Sequence, residues 1–147
     1  MISRVLFIFF AIFPCVANAK FSSYVGYWSV NCGGFGVNLV VSDREEVRVN
    51  VNDNNLLISA KLRELTKNSS DLLFVDILES RNDKINWSSI SLDKPIAKLT
   101  VNGGVLVVKL YGFFDIKKKE YVWNTQPDFI VGTKSNEAMI MKKCIFY

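Results

Sequence analysis

The side chains able to do chemistry in this chain are few, and their spacing withholds most reactions. The sequence contains no histidine, which removes Ser-His-Asp and Cys-His nucleophilic arrangements and the usual zinc sites. Cys32 and Cys144 remain once the leader that holds Cys15 is set aside, and paired cysteines offer no reactive thiolate. Glycoside hydrolysis needs two carboxylates flanking one bond. Here the acids, among them Asp43, Asp53, Asp71, Asp93 and Asp128, fall mostly at turns and strand ends, where such residues serve solubility and turn formation. The expectation is a protein that is not an enzyme and takes no cofactor or metal.

What remains is Lys117-Lys118-Lys119 with a group of rings around it: Tyr111, Phe113, Phe114, Tyr121, Trp123 and Phe129. Tyr111-Gly112-Phe113-Phe114 places rings on both faces of a strand, more than one buried face needs. Rings beside a basic tip suit a protein–protein interface and equally the mouth of a ligand-binding barrel. Nucleic acid is not expected, because a run of three lysines is narrower than the basic stripe it requires. The net charge is +4, one less without Arg4.

The elements that must position these residues read as antiparallel β-structure. Residues 1–19 read as an export leader: Arg4 as the basic start, Val5 to Phe13 as the apolar run, and Ala17-Asn18-Ala19 as the cleavage site. That run is shorter than the roughly 20 residues a bilayer span needs, so no membrane anchor is expected after cleavage, and residues 20–147 read as one β domain. Export implies an oxidising compartment, the periplasm of a bacterium first and the exterior second, and hence a Cys32–Cys144 disulfide. Closing so long a loop contributes roughly 4–5 kcal/mol in the chain-entropy model.

Along the chain, Tyr24, Gly26, Trp28 and Val30 share a strand face, and Cys32 to Gly36 make a wide turn. Glu46 to Val51 has the cleanest period of two. A turn at Asp53-Asn54 sets Val51 opposite Leu56, Val49 opposite Ile58 and Val47 opposite Ala60, which favours strand over helix to about Arg63. Lys67 to Asp71 is polar and turn-rich, and Leu73, Val75 and Ile77 form a strand. Glu79 to Pro95 is a long loop holding Trp87, with room for one helical turn. Asn102-Gly103 is a type I′ hairpin signal, which sets Leu99 opposite Leu106 and Ala97 opposite Val108. Glu120 to Trp123 follows as a further strand, and Asp128 to Thr133 pairs with Ala138 to Tyr147 as a closing hairpin. The expected fold is an all-β, antiparallel up-and-down barrel or barrel-like sandwich of about 8–10 strands. Its first and last strands are neighbours, joined by the disulfide.

Gly26-Tyr27-Trp28 resembles the opening Gly-x-Trp of lipocalin-type barrels, in which the Trp closes one end. That resemblance implies a barrel and, as one reading, a carrier of a small apolar ligand. In plan the chain also resembles bacterial periplasmic inhibitors of lysozyme-type enzymes and periplasmic immunity proteins paired with toxins. The shared traits are a leader, one compact β domain, one disulfide and no catalytic constellation. This second resemblance implies a protein partner, a secreted or periplasmic hydrolase or toxin, whose cleft is occluded by a loop tip. The expected contact residues are Lys117, Lys118, Lys119, Phe114, Asp115 and Tyr121, with Trp87 on the long loop.

Overall fold

The computed structural model describes residues 21–33, 36–51, 55–81, 85–122 and 138–145. The leader expected over residues 1–19, the Asp53-Asn54 turn, Trp123 and the 128–133 strand lie outside the described residues. Eight strands close one antiparallel barrel: β1 (Gly26–Ser29), β2 (Val37–Val41), β3 (Glu46–Val51), β4 (Leu56–Thr66), β5 (Ser69–Ser80), β6 (Pro95–Asn102), β7 (Val105–Leu110) and, last in sequence, β10 (Met139–Cys144). Each pairs with its neighbour along the chain, and β10 closes the ring between β7 and β1. The two remaining strands, β8 (Phe113–Asp115) and β9 (Glu120–Val122), form a separate hairpin.

Alternation drives the closure. Val47 and Val49 point inward with Arg48 outward, and the β3–β4 register is the expected one, Val51 opposite Leu56 and Val47 opposite Ala60. Inward side chains from all around the ring meet in one core. Leu39, Val47, Ile58, Ala97, Leu99, Leu106 and Met141 retain at most 1 % of their exposure. They pack into one continuous cluster with the other buried side chains.

The disulfide Cys32–Cys144 is formed, with a Cα–Cα distance of 5.6 Å. It ties the loop after β1 to the last strand, across a seam of three register pairs between β1 and β10.

Several expectations need correction. The β6–β7 turn is Gly103-Gly104, both at positive φ, so Leu99 faces Val108 and Val101 faces Leu106. Asn-Gly and Gly-Gly can both take the two left-handed positions of such a turn, and the chain uses the second pair. The pairing moves by two residues, so every side chain keeps its face. The β4–β5 turn is tighter than expected, at Lys67-Asn68, and Asp71 lies inside β5 rather than in a turn. Bulges opposite Leu57/Ile58 and Ser59/Ala60 push Val75 and Leu78 outward and leave Leu72 and Phe74 in the core. Tyr24 belongs to a turn before β1, not to the strand. Among the described strands, the one after the lysine turn pairs with β8 and not with the barrel. β10 pairs with β7 over Met139–Lys142 and with β1 over Lys142–Cys144; the other strand of the expected closing hairpin lies outside the described residues.

Candidate functional site

The β8–β9 hairpin is built where the chain leaves the barrel wall. Gly112, at φ +91, lets the backbone turn out of β7, while the Tyr111 and Gly112 amides both donate to Ile96 O. Phe113 then points into the core and Phe114 away from it. On its other edge β8 is held by the segment after β5. Ser91 N donates to Phe114 O (2.9 Å), Ile116 N donates to Ser89 O (2.9 Å), and Ile90 bridges to Asp115. The hairpin is therefore the middle of a small backbone network.

Trp87 lies at the start of a single 3-10 turn, Trp87–Ser89. Its ring stacks on Phe74 at 5.9 Å and meets Phe113 edge-on at 5.1 Å. These three rings anchor the hairpin's base to the barrel core. Trp87 is half-buried and supports the hairpin from below.

Asp115 is buried, 4 % exposed, and its carboxylate is used within the turn. Oδ1 accepts from Lys117 N (2.9 Å) and Lys118 N (3.2 Å), and Lys119 N donates to the Asp115 carbonyl (2.8 Å). Burial pushes the carboxyl up. The Lys118 and Lys117 amides, the Ser89 hydroxyl and the Lys118 charge outweigh it and hold the group below its ordinary value. Asp115 thus fixes the turn that displays the lysines; Lys117, Lys118 and Lys119 are all exposed, with Ile116 beside them at 56 %.

Behind the tip lies a second aromatic layer. Phe114 meets Tyr121 edge-on at 5.2 Å, Tyr111 lies 6.3 Å from Tyr121, and the Lys94 ammonium sits 5.6 Å over the Phe114 ring. The Tyr121 hydroxyl donates to Pro95 O (3.2 Å). Burial, with Tyr111 and the Asp71 carboxylate close by, raises the Tyr121 phenol above its ordinary value. Asp71 in turn pairs with Arg63 at 2.6 Å.

The expected contact residues therefore divide. Lys117–Lys119, Phe114 and Tyr121 share one outward face, while Asp115 and Trp87 hold that face in shape from beneath. Tyr111 and Lys94 complete it. Tyr111 was legible as part of the aromatic excess; Lys94 carried no signal in the sequence. Gly26 and Trp28 lie at the opposite end of the barrel. There the Trp28 indole donates to Tyr24 O (2.7 Å) and lies beneath the Lys143 ammonium, 5.6 Å from the ring. Among the described residues no cluster of three potential metal ligands occurs. Comparison with known protein families, characterised proteins and solved structures finds no match.

Proposed function

We propose that this is an exported, non-catalytic binding protein that occludes a partner enzyme or toxin, in the manner of a periplasmic inhibitor or immunity protein. The observation that carries the reading is the pinned hairpin. Lys117–Lys119 stand on a turn ordered by a buried carboxylate, beside the exposed Tyr121 ring and the half-buried Phe114 and Tyr111 rings. Pre-ordering a contact loop lowers the entropy lost on binding, which is what an occluding tip requires. Three ammonium groups on such a tip suit a cleft lined by carboxylates, as in glycoside hydrolases. The disulfide accords with an oxidising compartment, and we place the protein in the periplasm or outside the cell.

The test is capture of partners from envelope and culture fractions with the exported protein as bait, followed by reconstitution with the purified partner. A stoichiometric complex that silences a hydrolase or toxin supports the reading, and K117E/K118E/K119E should then weaken the complex. Unchanged affinity in that variant removes the lysine turn from the mechanism.

A second reading is favoured by a different observation. The closed eight-stranded meander with Gly26 and Trp28 at one end has the plan of a lipocalin-like carrier. The full burial of Leu99, Leu106 and Met141 argues against an open ligand cavity at that level. Solvent extraction of the purified protein that yields a stoichiometric apolar molecule would favour the carrier.

A further inference from the structure

Charge is divided between the two halves of the barrel. Among the described residues from Lys94 onward, Asp115 and Glu120 are the only acids, and Asp115 is turned inward to its own backbone. The same stretch carries Lys94, Lys98, Lys109, Lys142 and Lys143 as well as the Lys117–Lys119 turn. Residues 21–93 hold the opposite balance, with Glu46, Glu64, Asp76 and Glu79 among an excess of acids. Because β6, β7 and β10 are neighbours in the ring, the excess of lysine occupies one side of the molecule.

The registers place part of it in a row. Arg63 on β4 lies opposite Asp71 on β5, Asp71 opposite Lys98 on β6, and Lys98 opposite Lys109 on β7. One carboxylate, already paired with Arg63, serves a row with three cations. Lys98 and Lys109 face each other directly across two paired strands, an arrangement that destabilises a sheet. Tyr111 follows Lys109 on the same outward side, and Asp71 lies close enough to the Tyr121 phenol to shift it. The row and the hairpin's aromatic layer are therefore continuous.

We propose that the binding face runs from the Lys117–Lys119 turn across Phe114, Tyr121 and Tyr111 onto Lys98 and Lys109 of the barrel wall, and that it takes an acidic surface of a protein partner. This rests on the reading that the protein works by binding another protein. Carboxylates on the partner relieve the Lys98–Lys109 repulsion, and Tyr121, with the half-buried Phe114 and Tyr111 rings, supplies the desolvated contact that charge alone does not. Asp71 and Glu120 break the positive field, a mixed pattern that fits a protein surface better than a uniform polyanion.

The test is a backbone-amide NMR titration of the full-length gene product recovered after export. Three probes are compared: a random copolymer of Glu and Tyr, heparin, and vesicles containing phosphatidylglycerol. The expected result is tightest binding to the copolymer, with shifts at Lys98, Lys109, Tyr111, Phe114 and Tyr121. Affinity should fall about tenfold or more in K98E/K109E and stay unchanged in K61E on the β4 wall. Shifts on the β3–β5 wall, no binding to the copolymer, or tighter binding to heparin or vesicles overturns the proposal. Misfolding is excluded as an explanation if K109E melts at a higher temperature than the parent while binding more weakly; a lower melting temperature directs the same measurement to K98Q/K109Q. With a purified natural partner, loss of binding in K117E/K118E/K119E but not in K98E/K109E overturns the extended face and leaves the occluding tip standing. Loss in neither overturns both.

Discussion

The two ends of the barrel use the same materials for different ends. At one, Phe21, Tyr24 and Trp28 are buried to 5 % exposure or less, and the Lys143 ammonium lies over the Trp28 ring. Gly26 makes that possible: a Cβ there would come within 2.5 Å of the Lys143 side chain. At the other end Phe74, Trp87 and Phe113 form an equivalent inner layer, again with a lysine over a ring, Lys94 on Phe114. A second layer is then added outside the first, and Tyr121 keeps 42 % of its surface in water. The first end is a plug with nothing left over. The second is a plug carrying an exposed face.

Substitutions at the two ends should separate stability from surface. Trp28→Ala should have the largest effect, about 3–5 kcal/mol lost in denaturant melts, since a fully buried ring leaves a cavity. Trp87→Ala, from a half-buried site, should cost about 1–2 kcal/mol; an equal loss at both positions would break the comparison. Replacing Cys32 and Cys144 together by Ser should lower stability by about 2–5 kcal/mol, read from the shift in unfolding midpoint between variant and parent. Gly26→Ala should cost about 1–3 kcal/mol, because its φ of +138° is strained for any side chain and because Lys143 must leave Trp28. Fluorescence of Trp28 should report that displacement while the hairpin amides stay unshifted.

Smaller effects sharpen the other end. The folded Asp115 carboxyl lies below its unfolded value, so its contribution is complete above about pH 3.9 and fades as pH falls through the lower, folded value. The Lys117 and Lys118 amide signals should hold steady from neutral pH down to that point and then move together with Asp115, with no change near pH 6. Smallest of all, Lys109→Glu should raise the melting temperature by about 1–2 °C by relieving Lys98.

Much of the barrel was legible because strict alternation leaves few choices. Val47, Val49 and Val51 can face only the partners that keep apolar with apolar, and Cys32 with Cys144 demanded that first and last strands meet. The β5 strand was harder. Ser69 to Phe74 are all buried in succession, which breaks the period that marks a strand, and its register against β6 shifts between Leu72 and Leu73. The hairpin turn was misplaced by one residue because Asn-Gly and Gly-Gly both satisfy the same left-handed backbone. At the candidate site, the lysines and rings were legible as a local excess. The role of Asp115 was not, since an acid before a basic turn looks like any surface acid until Ser89 and Ile90 are seen to bury it.

The disulfide has a mechanical consequence. Cys32 and Cys144 enclose β2 through β10 almost entirely, so a force applied at the two chain ends bypasses that loop. Only β1 lies outside it, held by its short ladders to β10 and β2. Under tension the molecule should yield by peeling β1 and then stop, with the remaining seven barrel strands shielded at any load the covalent bond withstands. A protein tethered between a tight partner and a moving surface would keep its hairpin in shape while its own N-terminal strand is pulled away.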